Sequence, residues 1–142
     1  MTLHSTLVAL AVNGALGAWL GTIVFFSFVG APTVFEVLPE EDAGAVVNAI
    51  FPKYYVLGVA LGLVALAAGG ADAAPSGAGL AAAVLLGATA VAVVLFAYSR
   101  WVLIPKMDAA GDRAFERYHQ RSVVLNGVAM LAVAAALVAA NV

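Results

Sequence analysis

The chain has 142 residues, a formal net charge of −2, six basic and eight acidic residues, no cysteine, and 65% of its residues in the set AVILMFWYC. A soluble domain runs nearer ~45–50% apolar and ~25% charged, so the composition excludes an ordinary soluble domain and a disordered chain, and it offers no basic field for nucleic acid. Without cysteine there is no disulfide, thiolate metal site, iron–sulfur cluster or cysteine nucleophile, and what remains is an integral membrane protein whose lasting partner is the lipid bilayer.

The first apolar stretch, residues 7–29, is long enough to cross a bilayer core of ~30 Å as a helix. It must be helical, because lipid offers no partners to backbone amides. It lacks a basic leader and is too long for a signal-peptide core, so it reads as a retained span. It carries Gly14, then Gly17 and Gly21 in GxxxG spacing, with Asn13 in its outer third and Ser27 near its inner end.

Residues 30–53 follow. Pro39-Glu40-Glu41-Asp42 reads as a helix start, with acids in the first turn. Ala43, Val46, Val47, Ile50 and Phe51 then recur at helical spacing and predict a short amphipathic helix at the membrane interface. Pro52 is expected to break or kink the chain before the second span, 54–71. That span carries Gly58 and Gly62, again GxxxG, continued by Ala65 and Gly69 within ~60° of arc. Both glycine stripes are expected to pack helices inside the subunit, and a seam between two copies in a homo-oligomer is the alternative.

Residues 70–76 make a short outer turn, and the third span covers 77–98. A polar segment, 99–121, leads to the last span, 122–142. No internal repeat and no separate domain are read. The fold class is an all-α integral membrane four-helix bundle, one domain over 1–142, with a short interfacial helix between helices 1 and 2.

Lys53, Arg100, Lys106, Arg113, Arg117 and Arg121 all fall in the segments 30–53 and 99–121, which share one side. The positive-inside rule makes that side cytosolic and puts both termini outside, as for a prokaryotic plasma-membrane protein. Nearly every aromatic except Trp19 falls at the same end, which suggests a packed structure there.

Polar groups within a span are costly unless partnered, so they carry the functional information. No acid or base sits at mid-membrane, which argues against a proton-coupled carrier. Asn13 and Asn126 differ in depth, and each is expected to bond a backbone carbonyl or a hydroxyl on a neighbouring helix. At the entry to the last span, Phe115, His119, Ser122 and Asn126 share one helical face, while Arg113, Arg117 and Arg121 take the other and suit lipid phosphates. The candidate ligand-binding set is therefore Tyr55, Arg100, Phe115, His119, Ser122 and Asn126, with Ser27 beside it and Glu36 as a partner for Arg100. A hydrogen-bonded structural role for His119 is the alternative.

Taken together, Trp19-Leu20-Gly21, Phe25-Phe26, Ala31-Pro32 with Phe35, Phe51-Pro52-Lys53-Tyr54-Tyr55, Arg100 with Ile104-Pro105-Lys106-Met107, and Phe115 with Tyr118-His119, Ser122 and Asn126 carry a resemblance. Over nearly the whole chain this pattern resembles the four-helix membrane family typified by transmembrane protein 205, a domain of largely unknown function. The resemblance implies a four-span bundle and no defined activity. Weaker similarity, through His4 and Trp19-Leu20-Gly21, runs to the copper-resistance membrane domain and to the haem-using four-helix membrane protoporphyrinogen oxidase. Met1, Met107 and Met130 do not cluster as Cu(I) ligands would. His4 and His119 stand ~30 Å apart across the bilayer, too far to ligate one iron within a subunit. No metal site and no cofactor is expected. The function expected is binding or moving a small molecule or lipid, without catalysis. A haem- or metal-dependent oxidoreductase and a structural assembly partner are the alternatives.

Overall fold

A computed structural model describes every residue except Met1, Ser76 and Ala78, with the side chains of Asp112, Arg113 and Phe115 also outside the described residues. Helix α1, Leu3–Phe25, opens at Thr2, whose side chain accepts from the Ser5 amide at 3.2 Å. It widens into a π-turn, Phe26–Gly30, and continues as α2, Ala31–Val37. Helix α3, Glu40–Ala73, starts after Pro39 with Glu40, Glu41 and Asp42 in its first turn, where acids favour the exposed amides. Helix α4, Leu80–Tyr98, leads to a second π-turn, Ser99–Leu103, and to α5, Ile104–Ala109. Helix α6, Asp112–Ala139, closes the chain.

Four rods, Leu3–Val37, Glu40–Ala73, Leu80–Ala109 and Glu116–Ala139, are long and apolar enough to cross a membrane. Only 22–28% of each apolar window is buried within the protein. The outward surface carries Leu10, Val24, Phe25, Leu57, Leu63, Val94 and Leu131. So large an exposed apolar girdle is foreign to a soluble monomer and suits lipid. The interior instead holds small residues and rings, with Leu16, Trp19, Ile23, Ala92, Phe96, Ala129 and Val133 at its centre.

The rods form two hairpins, α1 with α3 and α4 with α6, joined mainly through α3 and α4; the α1–α6 seam is thinner. Gly58 and Gly62 make the α1–α3–α4 junction close. A Cβ on Gly58 would run into Phe96 and the Trp19 indole, and one on Gly62 would meet Val93 and lie 2.7 Å from Trp19. This is the close packing expected of that stripe.

The stripe on the first span behaves differently. Gly14, Gly17 and Gly21 are exposed, and a Cβ at any of them meets nothing within 4 Å. Helix α1 turns Trp19, Leu16 and Ile23 inward, and that leaves the glycines outside. Gly17 and Gly21 therefore do not pack helices within the subunit. A second correction concerns Pro52, which sits inside α3 without ending it. The amphipathic segment expected as a separate interfacial helix is the first part of α3.

The two π-turns have one local cause. Ala31 N–H bonds Phe26 O, and Ile104 N–H bonds Ser99 O, each one residue wider than an α-helical bond. Pro32 and Pro105 follow directly. Proline has no N–H and its ring crowds the carbonyl four residues back, and a widened turn relieves both. The order helix, π-turn, short proline helix, long helix thus occurs twice. No repeat is read from the sequence, because Phe26-Ser27-Phe28-Val29-Gly30 and Ser99-Arg100-Trp101-Val102-Leu103 share only an aromatic at Phe28 and Trp101, a valine at Val29 and Val102, and the proline that follows.

Candidate functional site

The polar residues of the spans converge at the end of the bundle that carries the basic segments. Tyr54 Oη donates to Asn126 Oδ1 at 2.6 Å, and Asn126 Nδ2 donates to Ser27 Oγ at 3.0 Å. Beside them, Tyr55 Oη and Ser122 Oγ share a hydrogen bond of 2.9 Å. The first chain ties α3, α6 and the π-turn of the first rod; the second ties α3 to α6. Ser27 can meet Asn126 because it lies in the π-turn, where the register of side chains shifts relative to the helix before it. Hydrogen bonds between membrane helices contribute about 0.6–2 kcal/mol each, so the set fixes the geometry more than it adds stability.

Rings fill the space around these bonds. Phe26 lies 5.0 Å from Tyr54 and 5.5 Å from Phe51, Phe51 stacks on Tyr55 at 6.0 Å, and Phe96 meets Tyr54, Tyr55 and Trp19 at 5.0–5.3 Å. These are the tilted and edge-on separations that aromatic quadrupoles favour. The packed aromatic structure expected at this end is present, and Trp19, which the sequence sets apart, is its innermost member.

Above this floor opens a cavity of about 320 Å³, lined by Phe26, Ser27, Pro32, Phe35, Val47, Phe51, Tyr54, Tyr55, His119, Ser122, Val123 and Asn126. A second cavity of about 310 Å³ adjoins it through Phe35, Val47, Phe51 and His119 and reaches Glu40 and Asn48. The two make one groove, with an amide–hydroxyl floor, aromatic walls and a more polar mouth. Val123 and Phe35 line it while remaining 59% and 48% exposed, so the groove opens sideways between α2 and α6.

The candidate residues thus separate. Tyr55, His119, Ser122 and Asn126 come together around the cavity, with Ser27. Arg100 does not line it: its guanidinium stands 5.8 Å from the Trp101 ring, and its Nε is buried without a hydrogen-bond partner. Among the described residues no ion pair joins Arg100 to Glu36, which is exposed in α2. The side chains of Phe115 and Arg113 lie outside the described residues. Arg117 and Arg121 are exposed, and Arg121 stands 5.9 Å from the Tyr118 ring. Tyr54 is missing from the candidate set although it donates to Asn126 at the centre of the network and lines the cavity. Its adjacency to Tyr55 hid it, since neighbours on a helix point ~100° apart and one face is chosen at a time.

At the opposite end a separate cavity of about 370 Å³ is lined by Ser5, Asn13, Asp72 and small residues. Asn13 Nδ2 donates to Ala9 O at 2.9 Å, and Asn141 Nδ2 donates to Asn13 Oδ1 at 2.7 Å. Asn126 thus meets a hydroxyl on a neighbouring rod as expected, whereas Asn13 donates to a carbonyl of its own helix and meets another amide across the bundle. Between the two cavities Leu16, Trp19, Ile23, Ala92, Phe96 and Val133 are fully buried and fill the bundle. Among the described residues no three His, Cys, Asp or Glu side chains gather.

Comparison with known proteins gives one family and one close relative to report. Residues 14–116 match the family described as a domain of unknown function, DUF4149. A protein of Aquifex aeolicus (strain VF5), described as uncharacterized, is 34% identical over 114 residues, covering 78% of this chain and 80% of that protein. No solved structure matches. The match agrees with the coarser part of the resemblance, a family without a defined activity, and does not extend to transmembrane protein 205 or the copper-resistance domain.

Proposed function

We propose for this chain, which belongs to the DUF4149 family, a role in binding a small, largely apolar molecule or lipid that enters sideways from the membrane. The observation that carries this reading is the groove: an aromatic-walled cavity of about 320 Å³ with a few convergent polar groups, open between α2 and α6. Ligand sites are built this way, with apolar walls for affinity and a few polar groups for orientation. The sealed centre of the bundle favours holding a molecule over conducting one. With all basic residues at the groove's end, the positive-inside rule favours a cytosolic groove that faces the inner leaflet, with both termini on the far side.

Native mass spectrometry of the protein released from mild detergent tests this reading. The wild type should retain a small molecule at one per chain. Val123→Trp, which fills the lateral opening from an exposed position, should lose it while keeping its helical circular dichroism spectrum and its monodisperse elution. Retention unchanged in that variant would overturn the reading.

A further inference from the structure

We infer that the cavity takes an uncharged lipid whose flat ring presents carbonyl oxygens, the chemistry of a quinone. This rests on the binding reading above and adds the identity of the occupant's polar end.

The first step counts hydrogens. Ser27, Tyr54, Tyr55 and Ser122 bring one hydroxyl hydrogen each and Asn126 brings two amide hydrogens. The three hydrogen bonds among these groups use three of them. Left over are the second N–H of Asn126, the O–H of Ser27, and one hydroxyl hydrogen of the Tyr55–Ser122 pair. Tyr54 Oη stands beside the Ser27 hydroxyl, and the buried Ser99 Oγ stands beside Tyr55, so two of the three have a neighbour in the protein that competes for them. The second N–H of Asn126 has no assigned acceptor among the described residues. Away from water a spare lone pair is tolerated, whereas an N–H or O–H without an acceptor is rare and costly. The floor of the cavity therefore favours an occupant that brings an acceptor.

The second step is charge. Among the described residues no Asp, Glu, Lys or Arg lines this cavity; Glu40 lines the adjoining mouth, and the His119 imidazole stands in the wall of both. An ionic headgroup seated on the amide–hydroxyl floor would lose its hydration without a fixed counter-charge beside it, which disfavours phosphate, carboxylate and ammonium there.

The third step is shape. Phe26, Phe51, Tyr54 and Tyr55 present ring faces and edges at separations of 5.0–6.0 Å from one another. A further flat ring suits such walls, since offset and edge-on contacts form at centroid distances of ~4.5–7 Å. The volume suits a single-ring headgroup. An apolar tail leaves past Val123, where the groove meets the lipid. Acyl esters of neutral glycerolipids share the carbonyl chemistry; the aromatic walls favour the ring.

The test titrates the full chain in detergent micelles with decylubiquinone, dioctanoylglycerol or n-decylbenzene, read as the shift of the thermal midpoint. Decylubiquinone should raise the midpoint and n-decylbenzene should not. Ser27→Ala should weaken decylubiquinone about tenfold, the effect of one lost hydrogen bond in a dry site, and Ser27→Thr should restore it. Ser122→Ala serves as a second variant with the same expectation, should Ser27→Ala fold poorly. Stabilisation by dioctanoylglycerol alone would overturn the quinone assignment in favour of an ester lipid. Equal stabilisation by n-decylbenzene, or no effect of either serine variant, would overturn the acceptor argument. No stabilisation by any probe would overturn the inference as a whole. The binding reading fails by a different result, the unchanged retention in Val123→Trp.

Discussion

Gly58→Ala should destabilise the bundle through one added methyl group. Its Cβ would sit inside contact distance of the Phe96 ring and the Trp19 indole. Neither ring has room to move: Trp19 is 0% and Phe96 1% exposed, and Phe96 is backed by Tyr54 at 5.3 Å and Tyr55 at 5.0 Å. Overpacking of this kind costs roughly 1–3 kcal/mol, and rigid backing places the change toward the upper part of that range. Alanine's better helix propensity offsets about 1 kcal/mol, so the net loss should be about 1–2 kcal/mol. For a chain of this size that is a fall of about 3–10 °C in thermal midpoint. Gly17→Ala is the matched control. It makes the same chemical change in a position where nothing lies within 4 Å, and it should leave the midpoint unchanged or slightly raised. Melts followed by near-ultraviolet circular dichroism in one detergent compare the three proteins. A Gly58→Ala midpoint at or above wild type, or an equal fall in Gly17→Ala, would refute the reasoning.

Asn126→Leu removes the centre of the Tyr54–Asn126–Ser27 chain and leaves a buried tyrosine hydroxyl without its acceptor. A loss of about 1–3 kcal/mol is expected in the same melts. Labelling of introduced cysteines in a thiol-free background checks orientation: Ala74→Cys should react with an impermeant reagent on intact cells and Ala110→Cys should not. A visible absorption spectrum of the protein purified without added cofactor should show no Soret band; a stoichiometric band would restore the haem alternative.

The four spans were legible because the bilayer imposes a length and a composition that few other environments demand. The helix start at Pro39 and the close role of Gly58 and Gly62 were legible for local reasons, a cap signature and an unbroken small-residue face. The same motif misled at Gly17 and Gly21. GxxxG states that a helix has a smooth face but not which way the face points, and the bulk of Trp19 decided that. Pro52 reads as allowing a break or a kink, and α3 runs through it without breaking, since neighbouring packing in a bundle outweighs one lost backbone bond. Ser122, Asn126 and His119 could be placed on one face by helical spacing alone. Ser27 could be placed beside them by its depth at the inner end of the first span, whereas the role of Tyr54 and the absence of Arg100 from the cavity depend on contacts between helices, which leave no periodic signal in the sequence.

The central claim is that the groove at the basic end, rather than the general lipid-facing surface, holds a membrane-soluble molecule. Photolabelling with a diazirine-bearing long-chain alcohol in reconstituted bilayers, followed by peptide mapping, tests it most directly. Saturable labelling concentrated on Phe35, His119 and Val123, and lost in Val123→Trp, is the result expected. Labelling spread evenly over outward residues such as Leu63, Val94 and Leu131, and unaffected by that substitution, would contradict it.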